Sequence, residues 1–149
     1  MIKPEDFEPI PENYFEAIRD TARKAPYSKL LGLDFDVVRK DYACMHLPYK
    51  KELEQPAGII HGGAIASLID TAVVGAIFSN VKEMPKQIVT VDMHVHYLSA
   101  AKEVNLIAHA AVRRRGRTMV CLEVDVVNEA TDKIVAHGEL GFMMLYDKP

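Results

Sequence analysis

The sequence predicts an α+β fold: an antiparallel sheet of about six strands wraps one long central helix, and a further helix precedes them. Three observations carry this. The stretch from Ala57 to Val81 is apolar on nearly every side, as a helix enclosed by protein must be. Four segments downstream of it alternate apolar and polar residues with period two, the pattern of half-buried antiparallel strands. A single helix-length element separates the second strand from the third, and a sheet curled over that helix covers the apolar surfaces of both.

Taken in order, Glu12 to Lys24 reads as a helix, with Tyr14, Ile18 and Ala22 at helical spacing and Pro26 closing the segment. Leu33 to Val37 and Ala43 to Leu47 read as two strands joined around Asp41, and a loop bearing Pro48 and Pro56 leads to the apolar helix. In Val89 to Tyr97 the odd positions are apolar or aromatic, while Thr90, Asp92, His94 and His96 take the other face. Val104 to Val112, Thr118 to Val126 and about Ile134 to Tyr146 complete the sheet. The turns at Arg115-Gly116-Arg117 and Glu129 to Asp132 are short enough for hairpins.

A chain of 149 residues suits one domain, taken as residues 1–149 with 1–30 as a helical extension. Apolar residues make up 49 % and charged residues 26 %, the balance of a soluble globular protein. A net charge of −3 gives no general affinity for nucleic acid. Cys44 and Cys121 lack metal-ligand spacing and read as buried free thiols in a reducing compartment. Met1 to Pro11 has neither the basic nor the apolar region of a signal peptide, so a cytoplasmic location is expected. The apolar stretch carries His61 and Asp70 and is rich in Ala and Gly. A carboxylate at mid-span is costly in a bilayer, so it reads as a helix within protein and no membrane partner is expected.

The chemistry concentrates between Gln55 and Asp70. From Gly62 to Ser79, Asp70 is the only ionisable residue. A carboxylate in an apolar helix needs a partner or a task, and the task for which it suits is that of a base or nucleophile in a dry site. At the start of the same helix stands His61-Gly62-Gly63. A helix N-terminus offers unpaired N–H groups and partial positive charge, glycine lets a ligand approach them closely, and such a terminus can hold an oxyanion. Asp70 lies eight residues beyond Gly62, about 12 Å along the axis and on a different face. The two could not act on one carbonyl within a subunit. Two such helices packed around a two-fold axis would join one subunit's Gly62 to the other's Asp70, which predicts a homo-oligomer with composite sites.

Gly58-x-x-His61-Gly62-Gly63 followed by Asp70, with Thr90-Val-Asp92-Met and Tyr97-Leu-Ser99 beyond, resembles the hotdog-fold thioesterases of the PaaI-like family (the phenylacetate-degradation and 4-hydroxybenzoyl-CoA type). The resemblance covers roughly residues 30 to 146. It implies a hotdog fold, hydrolysis of acyl- or aryl-coenzyme A, and a dimer or dimer of dimers. It implies roles as well: the Gly62 N–H polarises the thioester carbonyl with help from Gln55 and His61, Asp70 of the partner activates water or attacks directly, and Thr90 positions the water. Gly63 and Ser99 would contact substrate. The phosphates of coenzyme A need cations, for which Arg113, Arg114, Arg115 and Arg117 cluster about the Gly116 hairpin, with Lys102 as another choice. No cofactor is expected, coenzyme A being part of the substrate.

Other signals weigh less. Asp92, His94 and His96 share a strand face and could begin a zinc site, but the implied chemistry needs no metal. Ser67 lies outside any Gly-x-Ser-x-Gly elbow. His46, His109 and His137 fall in strands and read as surface or interface residues. A hotdog hydratase or dehydratase is the nearest enzymatic alternative, although the proline-rich segment associated with dehydratases is missing after His61. An acyl-coenzyme A-binding module without turnover is the alternative from another class. The presence of Asp70 favours turnover over the binding module.

Overall fold

The computed structural model describes residues 1–147. Its six strands are β1 (Asp34–Arg39), β2 (Tyr42–Leu47), β3 (Gln87–Tyr97), β4 (Leu106–Arg115), β5 (Met119–Asn128) and β6 (Ile134–Leu145). They form one antiparallel sheet in the order β1-β2-β4-β5-β6-β3. Three α-helices accompany it: α1 (Glu12–Lys24), α2 (Pro26–Leu31) and α3 (Gly62–Phe78). Between β2 and β3 the chain runs through α3 and crosses the whole sheet, so β1 and β3 become the two edges. This is the hotdog fold expected from the sequence.

The sheet wraps α3 because both carry the apolar residues. Leu68, Ile69, Ala72, Val73, Ala76 and Ile77 are fully buried on α3 and join one core with Phe35, Met45, Leu106, Val124 and Val126. Two glycines set how closely helix and sheet approach. A Cβ on Gly75 would stand 2.6 Å from the Phe35 ring, and one on Gly138 would stand 2.7 Å from Ile69. Any larger residue at either position pushes the helix off the sheet. No α-helix among the described residues is long and apolar enough to cross a membrane.

Three details depart from the sequence reading. Pro26 opens a helix rather than merely closing one: it occupies the first turn of α2, where its missing N–H costs nothing. Gly32 then ends α2 in the left-handed region, at φ 76°, with Leu33 N–H bonded to Ser28 O. In β3 the alternation breaks at a bulge. Thr90 pairs with Phe142 and Asp92 with Gly141, so Val91 has no opposite residue and is half exposed. Cys44 is buried as expected, and burial pushes its thiol up to about 12, but Cys121 is exposed on the outer face.

The first 30 residues are more than a decoration. Residues 2–9 run over the outer face of the sheet, where the Ile2 N–H donates to Asp125 at 3.0 Å and the Phe7 ring stacks on Tyr42 at 4.9 Å. His137 joins the same carboxylate through Nδ1 at 2.8 Å. Helix α1 docks beside β1 through Asp34, which takes paired hydrogen bonds from both Arg19 and Arg23. Burial pushes the Asp34 carboxyl up, but those two guanidiniums outweigh it and hold its pKa at about 2.

A depressed folded-state pKa contributes stability that is complete above the unfolded value near 4 and is lost as pH falls towards 2. Asp34→Asn should therefore cost about 1–2 kcal/mol at neutral pH, the lower end reflecting the exposure of Arg23. It should also flatten the acid limb of stability between roughly pH 4 and pH 2, which urea unfolding across that range will measure.

Candidate active site

The N-terminus of α3 is built by its own sequence. His61 is the N-cap, and its Nδ1 accepts the Gly63 N–H at 2.8 Å. An imidazole that accepts at Nδ1 carries its proton at Nε2, which is left as a donor. A Cβ on Gly63 would stand 3.0 Å from that Nδ1, so glycine is what lets the cap close. Because Gly63 is spent on the cap, the Gly62 N–H is the first donor of the helix without a partner among the described residues. Tyr97 fixes the same point from β3: its hydroxyl donates to Gly62 O at 3.0 Å, and a Cβ on Gly62 would lie 3.2 Å from its ring.

These groups face a cavity of about 590 Å³. Gln55, Pro56, Ile59, His61, Gly62 and Ile65 line one side, with Tyr97 to Ala101 opposite. The Gln55 wall is a turn closed by Gly58, at φ 72°, whose N–H bonds Gln55 O at 2.9 Å. Gln55 Oε1 takes the Ala57 N–H at 3.2 Å, which leaves the amide NH₂ group without a partner among the described residues. Ser99 lines the cavity, but its hydroxyl donates to Ile134 O at 2.5 Å and so ties down the loop. The arrangement presents N–H donors and no general base. It can stabilise a developing oxyanion.

The candidate base sits elsewhere. Asp70 is half buried two turns along α3, and its Oδ1 accepts the Thr90 hydroxyl at 2.8 Å. The partner demanded of an isolated carboxylate is therefore Thr90, on the strand that ends at Tyr97. Neither Asp70 nor Thr90 lines the cavity of Gly62. Within one subunit the structure keeps oxyanion donor and carboxylate apart, as their spacing requires.

The arginines occupy a third place. Arg115 grips Asp41 through Nε at 3.0 Å and Nη2 at 2.6 Å, and Nη2 also reaches Ala76 O and Ile77 O at the end of α3. Asp41 is held in turn by the side chain of Asn80 and by Ser79 Oγ. Only about a fifth of Arg115 is exposed, so it caps a helix C-terminus and braces the β1–β2 turn. Arg113 pairs with Glu123. Arg114 and Arg117 remain exposed without an acidic partner among the described residues, and Gly116 closes the hairpin between them through Met119 O at 2.7 Å. This end of α3 lies fourteen residues from Gly62, about 21 Å along the helix.

No group of three or more His, Cys, Asp or Glu among the described residues is placed to hold a metal ion. His94 and His96 have ring centroids 6.3 Å apart. Tyr97 entered the sequence reading only within the Tyr97-Leu-Ser99 resemblance, with no role of its own, because its contact with Gly62 is close in the fold but not along the chain.

A six-stranded antiparallel sheet around a helix whose N-terminus opens into a cavity places the chain among hotdog proteins, and the comparisons agree. The Thioesterase superfamily pattern matches residues 57–135, more than half of the chain, and the protein belongs to that family. Human acyl-coenzyme A thioesterase 13 is 33 % identical over 90 residues, 60 % of this chain. That match spans only 63 % of the human protein's length. A thioesterase family protein from Silicibacter pomeroyi superimposes with a TM-score of 0.82 at 24 % identity, covering 90 % of this chain and 99 % of the other. The PaaI protein of Escherichia coli, from its phenylacetic acid degradation operon, shares the fold at a TM-score of 0.77 and 20 % identity, over 89 % and 91 % of the two chains.

The bracing role of Arg115 is separable by stability. Arg115→Ala leaves Asp41 and two helix carbonyls without their donor and should lower unfolding stability by about 2–3 kcal/mol. Arg117→Ala, two residues away, should stay within about 0.5 kcal/mol of the parent protein. Urea denaturation of the pair checks both.

Proposed function

We propose that this protein is an acyl-coenzyme A thioesterase whose sites are shared between the subunits of a homodimer. The observation that carries the reading is the division of labour along α3. An unpaired Gly62 N–H beside a cavity stands at its start, and a Thr90-held carboxylate stands two turns on. Two α3 helices packed antiparallel about residue 66 would set each Gly62 against the partner's Asp70. The same two-fold would bring the partner's residue 76, and with it the Arg115–Arg117 hairpin, towards Gln55 and Pro56. Arg114 and Arg117 would then meet the phosphates of coenzyme A at the cavity mouth, while Arg115 stays in its brace. Edge strand β3 supports such a pairing: Val91 and Tyr97 are exposed along it and Leu98 just beyond its end, and an unpaired edge strand bearing exposed apolar side chains calls for a partner.

The chemistry follows from the groups present. The thioester oxygen lies against the Gly62 N–H, with the His61 Nε2–H and the Gln55 amide as further donors. In the partner subunit Asp70 has one oxygen pinned by Thr90 of its own chain, so the other takes a proton from water as that water adds to the carbonyl carbon. The tetrahedral oxyanion is held by the helix N-terminus. It collapses with cleavage of the C–S bond, and the coenzyme A thiolate leaves and is protonated. Buried Cys44, with its raised pKa, offers no thiolate to compete as nucleophile.

Thiol release from a panel of acyl- and aryl-coenzyme A esters tests the activity. Asp70→Asn should lower kcat by about 10²–10⁴-fold with little change in substrate binding. Near-parental rates would remove Asp70 from the mechanism, and release from no ester would sink the thioesterase reading. Sharing is tested by mixing. Gly62→Pro deletes the one N–H at a helix position where proline is tolerated. Re-formed random dimers of Gly62→Pro and Asp70→Asn chains should regain about a quarter of parental activity, half of them carrying one intact site of two. No recovery would mean that each subunit works alone.

A further inference from the structure

Edge strand β3 carries a second motif, on the side of the sheet that the reaction does not use. The bulge at Val91 separates two faces: Thr90 turns inward to Asp70, while Asp92, His94 and His96 turn outward. Their partners on β6 are Gly141, Glu139 and His137. His137 shares Asp125 with the strap of residues 2–9, which marks this face as the outer one. We infer that His94 of two copies, with Asp92 or His96 beside each, binds one divalent transition-metal ion of the zinc class at the seam between paired β3 strands. The inference rests on the dimer proposed above and adds a ligand to it, away from the Gly62 cavity.

These side chains stand out because nothing holds them. Four of the six histidines have a ring nitrogen in a hydrogen bond: His46 with Asp36, His61 with Gly63, His109 with Tyr42 and His137 with Asp125. His94 and His96 have none among the described residues, and neither does Asp92. All three are exposed. The two imidazoles stand on one side of the strand with ring centroids 6.3 Å apart. A tetrahedral zinc ion with Zn–N of about 2.0–2.1 Å sets the centroids of two bound rings about 5 Å apart. Small turns about χ1 and χ2 close that difference.

One copy is not enough. No group of three or more ligands among the described residues of one chain is placed to hold a metal ion, and a zinc site takes three or four. The proposed two-fold brings the rest. Tyr97 bonds Gly62 and Thr90 bonds Asp70, so residue 66 of α3, midway between, is level with residues 93 and 94 of β3. A two-fold through residue 66 meets the β3 edge there. Antiparallel pairing about that level leaves two registers that keep the faces matched. In one, His94 faces the partner's Asp92. In the other, His94 faces the partner's His94, and His96 faces the partner's Asp92. Opposed side chains have Cβ atoms about 4.5–5.5 Å apart and diagonal ones about 7–8 Å. Either register therefore lets two ligands from each copy meet on one ion.

The surroundings call for a cation. Glu139 lies opposite His94 on one side and Glu123 on the other. Arg113 pairs with Glu123, and Glu139 has no ion-pair partner among the described residues. Glu139 is placed to take the second ring N–H of His94, the support that metal-bound imidazoles usually have. Asp92 and Glu139 from two copies would otherwise crowd carboxylates along one seam, an arrangement that like charges disfavour. Imidazole with carboxylate is a donor set suited to zinc.

The test uses the full-length protein, freed of metal with a chelator. Zinc chloride titrated into the dimer in a calorimeter should bind at one ion per two chains. Excess zinc should tighten the dimer by about tenfold in its dissociation constant, read by ultracentrifugation over a dilution series. His94→Ala should abolish both effects. Its thioester turnover should stay within about twofold of the parent, because the side chain is exposed and lies outside the Gly62 cavity. His46→Ala, on another strand, should leave zinc binding unchanged. One ion per chain, retained on dilution to monomers, would mean that a single strand binds zinc alone, and overturns the shared site. A stable dimer that takes up no zinc, or binding that survives His94→Ala, also overturns it and leaves the thioesterase standing. A chain that stays monomeric at every concentration removes the proposed dimer, and this site with it.

Discussion

Everything in this protein depends on enclosing α3. Seventeen residues with one ionisable side chain cannot face water, and no single element is wide enough to cover them. The sheet takes the face of Ile65, Leu68, Ile69, Ala72, Val73 and Ile77. Helix α1 shields the flank of Phe78, held there by the hydroxyl of Tyr14 on the Phe78 carbonyl. What is left uncovered is the strip of Ala66, Asp70 and Val74, each of them half buried. The incomplete enclosure is where the proposed function places its carboxylate.

The two ends of α3 are finished in opposite ways, and the contrast explains their roles. At the C-terminus, Arg115 supplies a fixed positive charge to carbonyls that carry partial negative charge, Asp41 balances that charge, and the Asn80 amide donates to Asp41. Of this cluster only the buried Arg115 Nη1 lacks a partner among the described residues. At the N-terminus, His61 satisfies a single donor and leaves the next one open. A neutral cap keeps the helix start electropositive, where an aspartate in the same place would have cancelled the field that an oxyanion needs. The choice of histidine over aspartate is thus a chemical one as much as a conformational one.

Much of this was legible in the sequence. Helix α1 was placed at its observed bounds, and the all-round apolar character of α3 dictated a surrounding sheet. The period-two alternation located β4, β5 and β6 to within a few residues. The Gly62–Asp70 spacing set the two groups about 12 Å apart before any coordinates, and the structure keeps Asp70 out of the Gly62 cavity. What escaped was set by contacts distant in the chain. The bulge that turns Val91 outward lets β3 present Thr90 to Asp70, a relation no local pattern encodes. Arg115 resembles its neighbours in sequence and differs from them only because β4 ends where α3 ends. The strap over Tyr42 was equally hidden, since residues 2–9, with two apolar residues in eight, have no periodicity to read. Composition set the mean and tertiary contact set the exceptions, which fall at the places where chemistry is proposed.

The length of α3 finally ties fold to assembly. If Asp70 stood one turn from Gly62, a single subunit could bring carboxylate and oxyanion donor to one carbonyl, and β3 would need no partner. At two turns the helix rise exceeds the reach of an aspartate, and neither a rotamer change nor a local shift can close about 12 Å. The sheet cannot help either, because Gly75 and Gly138 fix α3 against it at contact distance. In the proposed dimer a second helix supplies the missing group. A bare carboxylate on a rigid helix, held by one threonine on an edge strand, is therefore of little use to its own subunit. In the proposed dimer it becomes useful when that strand meets its copy, so that pairing and catalysis rest on the same few residues.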